Sequence, residues 1–481
     1  MARGNITEFI DGYVESDMTR LHMPGHKGKA VPGYGDGLNV MFERDITEIE
    51  GADALYEASG IIGESEKRMA EVFGTAATFY SAGGSSQSIK AMCFLAIRYW
   101  KTRVMSTKGK GGSESVIPII VAGRNAHISF IHAAGLLGFD IRWLEPGDSL
   151  CESAVTSEQL HAYLKKLEIE GELPRVAAVM VTSPDYLGNM LDIRGISETA
   201  HAFGCLCMVD NAHGAYLAML EENLHPIRLG ADMTADSAHK TLSVLTGGSF
   251  LNISKQAPDE LEKDAKEALL IFGSTSPSYL IMESMDMNLP YLEEQKELLK
   301  DSENDFQIAA RKVGALKEKL SVDGWDIYGT EPLKLTVKCP GRGELLSGEL
   351  RSRGIECEFA DRDFLVMMWS PANPEEDYIK VQNAFKEIGV EQVCDKENSE
   401  KKDADIPEFC LPEVKYQYRD LLFSDYEVTD VDKSLGRVSM EVAAKCPPAI
   451  LPVIPGEVID ENIVRILKYY GINRIRVKAG K

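Results

Sequence analysis

Long apolar runs are missing. No stretch of the 481 residues approaches the roughly 18 uninterrupted apolar residues that a membrane-spanning helix needs, so no membrane association is expected. The opening residues, MARGNITEFIDGYVESD, lack the apolar core of a secretory leader. Cysteine is sparse: nine residues without paired spacing read as reduced thiols inside a cell, and they exclude a disulfide scaffold. Cys205 and Cys207 alternate along an apolar run with no nearby His or Cys partner, which makes a poor zinc site; no metal is expected. A cytoplasmic protein is the expectation. Basic charge is also short, with 52 Lys and Arg against 75 Asp and Glu and a net charge of −23. Such a surface repels phosphate backbones and anionic lipid, which argues against nucleic acid as a partner and mildly favours cationic small molecules. No GxxxxGK[ST] sequence occurs, so a nucleoside-triphosphate site has no support.

What is present reads as an α/β protein of several domains, since 481 residues exceed one compact core. Residues 1–40, rich in Gly, Pro and His, suggest an irregular arm. Short apolar runs at Val116–Ala122, Val176–Thr182, Cys205–Asp210 and Ser249–Ile253 read as buried strands. Amphipathic helices fall between them, as at Ile62–Phe73, Ser129–Gly138, Ser157–Glu170 and Ile196–Phe203. The alternation predicts a large domain over 41–288, a mostly parallel central sheet with helices on both faces. A charged helical stretch, Leu289–Leu320, opens a smaller α/β domain over 289–395, with strand-like segments at Lys334–Lys338 and Ile355–Trp369 and a helix at Glu375–Ile388. The polar run 396–408 reads as a linker, and 409–481 as a C-terminal domain.

Four features fit one chemistry. Lys240, in TADSAHKT beside Ser237 and His239, is a candidate amine nucleophile for an aldehyde if desolvation lowers its pKa; alone, it reads as a surface charge. Asp210 ends a strand, where open α/β sheets bind ligands, and suits a protonated ring nitrogen; an N-cap is the alternative. The turn SAGGSSQS (Ser81–Ser88), with Gly84, Ser85 and Ser86, follows a strand-like segment and opens a helix at Ile89, a place for a phosphate or merely a capped turn. His127 follows another strand and can lie against a flat ring or move protons. Amine, acid, phosphate cup and ring contact are what pyridoxal 5'-phosphate requires of a protein.

These residues, with LHMPGHKG, DITEIEGADAL, VTSPDYLG, VDNAHGAY, SAHKTL, STSPSYLIMESMD and LPVIPGEVI, resemble the ornithine/lysine/arginine decarboxylases over most of the chain. The likeness is to the short form, without an N-terminal wing domain. The resemblance implies the aspartate-aminotransferase fold (fold type I of pyridoxal-phosphate transferases) and decarboxylation of arginine, lysine or ornithine, of the kind that feeds polyamine biosynthesis. It also implies a homodimer with shared active sites. By the same resemblance Lys240 forms the Schiff base, Asp210 pairs with the pyridine nitrogen, and Ala212 and His213 lie beneath or beside the ring. His127 stacks on the other face, and His239 or Lys240 reprotonates the α-carbon. Gly84, Ser85, Ser86, Ser237 and His239 surround the phosphate or face the substrate, and Ser274 and Thr275 reach across from a second subunit. The arm with His26 lies near the dimer's active site.

Three departures from the family pattern stand out. AGGSS (Ala82–Ser86) replaces TNGTS, RNAHIS (Arg124–Ser129) replaces RNCHKS, and TSPDYLG places Asp185 where threonine is usual. Asp185 is a candidate for a cationic substrate tail, for tuning the cofactor, or for capping its loop. Glu358, Asp361 and Glu457 are the other candidate acids for the tail. Aminotransfer, oxidative deamination and a silent regulatory paralogue are the alternatives; the last would require loss of Lys240 or Asp210, and both are present.

Overall fold

The computed structural model describes residues 4–16, 18–108, 116–146, 155–393, 408–442 and 451–480. Among them are thirteen strands: β1 (Ala77–Ser81), β2 (Ile119–Ala122), β3 (Asp140–Trp143), β4 (Val176–Thr182), β5 (Leu206–Asp210), β6 (Met233–Asp236), β7 (Ser249–Ile253), β8 (Asp326–Tyr328), β9 (Lys334–Lys338), β10 (Phe359–Ala360), β11 (Phe364–Met368), β12 (Tyr426–Asp430) and β13 (Arg474–Lys478). The chain gathers into two compact units, each built from two stretches: Met1–Arg103 with Cys207–Asp305, and Val104–Leu206 with Phe306–Lys481. Composition along the chain suggests contiguous domains because it cannot register strand pairing between distant segments. Of the proposed linker only Glu408 is described; 396–407 lie outside the described residues.

In the first unit β5 runs parallel to β6, and β7 is antiparallel to both β6 and β1. β1, β5, β6 and β7 are almost wholly buried, as expected where helices cover both faces of a sheet. The arm expected over 1–40 is not wholly irregular. Asn5–Glu15 is a helix, and Ile6 and Ile10, one turn apart, are fully buried. Asp286, in the helix Tyr279–Leu298, accepts from Thr7 N at 2.9 Å and Ser65 Oγ at 2.6 Å and fastens that helix's first turn. The helix Tyr279–Leu298 also runs through the boundary expected at 288/289. The stretch expected as one helix to Leu320 is two, the second being Asp305–Val322.

In the second unit β2 is parallel to both β3 and β4. A separate antiparallel sheet has the order β10-β11-β9-β8, and β12 pairs with β13. The segment Ile355–Trp369, read as one strand, is a hairpin of β10 and β11. Asp361 makes the turn, its Oδ1 accepting from Asp363 N and Phe364 N at 2.8 and 2.7 Å. The C-terminal residues have their own core of Ile459, Ile463, Ile466, Ile475 and Val477. Among the described residues no helix is long and apolar enough to cross a membrane.

Candidate active site

The carboxyl ends of β5 and β6 bring the expected residues of the first unit together. β5 finishes at Asp210, which is buried. Its Oδ1 accepts from Ala212 N at 3.1 Å, a local turn that turns the chain back under the strand end. Burial pushes the Asp210 carboxyl up to about 6; the negative charge of Asp236 adds to this, while Lys240 and the Ala212 N–H act against it. Lys240 does not lie in an open loop: Ala238–Thr241 form a short helical turn directly after β6, and its Nζ is 3.1 Å from His213 Nε2. His239 is anchored, with Nδ1 2.9 Å from Gly248 O and its backbone N donating to the same oxygen.

The glycine-rich turn after β1 lies within reach of the same segment. Ser237 Oγ donates to Ser85 Oγ at 2.8 Å, so the residue three before Lys240 meets the turn across 152 positions of sequence. The helix starts at Gly84, earlier than the Ile89 expected, and continues to Lys108. Gly84 has φ of 70°, a left-handed conformation that favours glycine, and its N–H donates to Gly247 O at 2.8 Å. Ser85 and Ser86 therefore occupy the first turn of a helix of 25 residues, where unpaired N–H groups and the helix dipole favour an anion. Gln87 holds this turn in place: its Oε1 accepts from Ser81 Oγ at 2.7 Å and its Nε2 donates to Leu269 O at 2.8 Å. Gln87 escaped sequence reasoning, although its place in the middle of SAGGSSQS was a signal.

This arrangement fits pyridoxal phosphate. A buried acid whose ionised form is disfavoured suits a cationic ring nitrogen, an amine stands at the next strand end, and hydroxyls sit at a helix N-terminus. Ser274 and Thr275 are exposed on the connection between two helices, with Ser274 Oγ accepting from Ser276 N. His26 stacks on Phe42 at 4.4 Å and lies 3.2 Å from Asp45.

The remaining candidates belong to the second unit. His127 caps the helix Ile128–Leu137, its Nδ1 accepting from Ser129 N. Asp185 is buried and accepts from both Asn189 N and Asn189 Nδ2 at 2.8 Å, while Lys334 Nζ donates to its carbonyl; of the three roles open to it, this geometry is that of a loop cap. Glu457 forms a fully buried ion pair with Arg124 at 3.1 Å and accepts from Ile454 N. Asp361 makes the hairpin turn described above, and burial pushes its carboxyl up to about 6. Glu358 is the exposed one of the four, with Tyr186 Oη donating to it at 3.1 Å.

Comparison with known proteins gives a consistent picture. The family description Orn/Lys/Arg decarboxylase, major domain, matches residues 6–327. An arginine decarboxylase of Bacillus subtilis is 28% identical over 93% of this chain and 90% of its own length. Another, from Halalkalibacterium halodurans, is 26% identical over 96% and 93%. The crystal structure of the Francisella novicida lysine decarboxylase LdcF superposes with a TM-score of 0.74 at 16% identity, covering 99% of this chain and 81% of that one; this likeness establishes the fold.

Proposed function

From the premise that the chain belongs to the Orn/Lys/Arg decarboxylase family, we propose that Lys240, Asp210 and the Gly84–Ser86 turn form the site of its pyridoxal-phosphate chemistry, and that arginine is the substrate. The protein is a pyridoxal 5'-phosphate-dependent decarboxylase of basic amino acids. The cofactor, when bound, supplies an electron sink for the pair released as the bond from Cα to the carboxylate breaks. Lys240 would hold the cofactor through its side-chain amine. Asp210 keeps a proton on the ring nitrogen, and Ala212 and His213 bound the ring, with His213 Nε2 next to the lysine amine. Ser85, Ser86 and Ser237 hold the phosphate. His239 or Lys240 would return a proton to Cα.

The observation that carries this reading is geometric: buried Asp210 ends β5 beside β6, and the segment that follows β6 carries Lys240 and meets the glycine-rich turn through Ser237 Oγ and Ser85 Oγ at 2.8 Å. Arginine is favoured by the names of two relatives that each cover more than nine tenths of this chain. The four candidate acids for the guanidinium, Asp185, Glu358, Asp361 and Glu457, are all engaged by nearby donors. We further infer a cytoplasmic homodimer whose product amine feeds polyamine biosynthesis. The exposed Leu21, Met23, Tyr34, Leu38 and Val40 support a second copy lying on this arm, where Ser274 and Thr275 would complete the partner's phosphate site.

Incubation with pyridoxal phosphate and arginine, lysine or ornithine in turn, read by product mass spectrometry, tests the reading. Agmatine and carbon dioxide are expected from arginine, with borohydride trapping the cofactor on Lys240. A label on another residue, or conversion of the cofactor to its amine form as the main event, overturns it.

A further inference from the structure

Behind Asp210 lies a second carboxylate that the decarboxylase reading leaves without a role. Asp210 is level with Ala235, so the end of β6 overshoots by one residue, Asp236, just before the segment that carries Lys240. Asp236 has no exposure at all. Its Oδ1 accepts from Asn211 Nδ2 at 3.0 Å, and its Oδ2 accepts from His225 Nε2 at 2.7 Å and Asn252 Nδ2 at 3.0 Å. His225 Nδ1 accepts from Ile227 N, which leaves Nε2 as the ring nitrogen that donates to Asp236. Three N–H donors thus converge on the two carboxyl oxygens. Among the described residues no lysine or arginine pairs with Asp236. Asn252 Nδ2 also donates to Thr234 Oγ1, and Asn252 Oδ1 accepts from Thr78 Oγ1 at 2.7 Å, while Asn211 Oδ1 is buried without a hydrogen-bond partner.

Asn211 links this carboxylate to the site. It follows Asp210 directly, its backbone N donates to Ala235 O at 3.0 Å, and its side chain reaches Asp236. The stretch holding Asp210 is thus stitched twice to the strand end that leads to Ser237 and Lys240. We propose that Asp236 is a positioning residue for the ring-nitrogen acid: it clamps Asn211, and with it Asp210, in register with Lys240, and it places a second negative charge behind Asp210 that favours a proton on the cofactor's ring. The inference rests on the reading of Asp210 as the ring-nitrogen partner. The titratable groups facing Asp236 are His225 and Asp210, and those acting on Asp210 are Lys240 and Asp236, the latter making the Asp210 carboxyl harder to ionise.

The test uses the holoenzyme and two variants that separate charge from tether. Asp236→Asn removes the charge at nearly constant shape. The visible absorption of the Lys240-bound cofactor, titrated against pH, then has its midpoint lowered by about one unit, a tenfold loss of proton affinity. Asn211→Ala keeps the charge and cuts the tether. It leaves that midpoint in place but weakens cofactor binding about tenfold, with kcat reduced and KM for arginine within about twofold. An unchanged midpoint in folded, loaded Asp236→Asn overturns the charge role. If Asp236→Asn does not fold or load, Asn211→Ala decides, and unaltered cofactor affinity there overturns the proposal. Borohydride labelling of Lys240 in the unaltered protein keeps the two failures apart: without that label the site reading itself falls, and with it only the role of Asp236 is at stake.

Discussion

Asp210 illustrates how a functional group strains the protein that carries it. A carboxyl of ordinary value 3.8 that rises to about 6 on folding binds its proton more tightly in the folded than in the unfolded chain. The sign follows: between about pH 4 and 6 the folded state holds more protons, so stability falls as pH rises through that window. The loss is complete above 6 and amounts to about 3 kcal/mol for a shift of this size. On the proposed reading, a cationic ring nitrogen would offset it. The apo form of Asp210→Asn should therefore melt higher than the apo unaltered protein at pH 7, and the gap should close toward pH 4, as calorimetry across that range would register. Apo proteins that melt alike at pH 7 contradict the burial argument. The same variant with cofactor should lose activity by orders of magnitude. Asp210 was legible in the sequence because it closes a short apolar run, and strand ends are where such folds bind ligands, whereas Lys240 was legible from its neighbours Ser237 and His239 ahead of the run SFLNIS. Asp236 and Asn252 were not, since a polar residue inside MTAD or SFLNIS gives no hint of a partner on a strand far away in sequence. Asp185 was visible as a departure, but its engagement by Asn189 depends on a turn geometry that spacing does not reveal.

At the scale of elements, Val176–Thr182, Ser249–Ile253, Lys334–Lys338 and Glu375–Ile388 stand in the structure with the bounds that periodicity suggests. The misses are physical. The helix at Gly84 begins on glycine and serines, poor helix formers that take the first turn because they suit an N-terminus. The hairpin of β10 and β11 turns at the charged run Asp361–Asp363, a break that reading the segment as one strand passes over, and the Asp361 side chain makes the turn. The second unit relies on a contact no pattern predicts. Arg124, in the turn after β2, and Glu457, in the PGE turn, form an ion pair with both side chains about 1% exposed, and the guanidinium also lies over Trp143 and Phe409. Removing one charge strands the other in a dry site, so Arg124→Met should cost about 3–5 kcal/mol in denaturant unfolding. Replacing both charges, Arg124→Met with Glu457→Leu, should restore most of that loss, because an apolar pair of similar volume avoids the desolvation penalty. A double variant no more stable than the single one would show that Glu457 is held chiefly by Ile454 N and its own turn.

For the molecule as a whole, the charge imbalance, bland when met in the sequence, acquires a use beside a basic substrate. A net charge of −23 surrounds the protein with a field that draws cations and repels anions, and salt weakens it once the screening length falls to about 10 Å near 0.1 M. The substrate tail carries a full positive charge, whereas the bond-breaking step occurs among groups shielded from solvent, such as Asp210. Capture should therefore respond to ionic strength and chemistry should not. Raising salt from about 0.01 to 0.3 M is expected to increase KM for arginine about two- to fivefold while kcat holds within about twofold. Citrulline, isosteric with arginine but neutral at the tail, separates steering from a general salt effect: its weak binding should be insensitive to the same change. A KM for arginine that stays flat, or that falls, would assign the acidic surface to solubility alone. Recognition would then rest on short-range contacts to the tail.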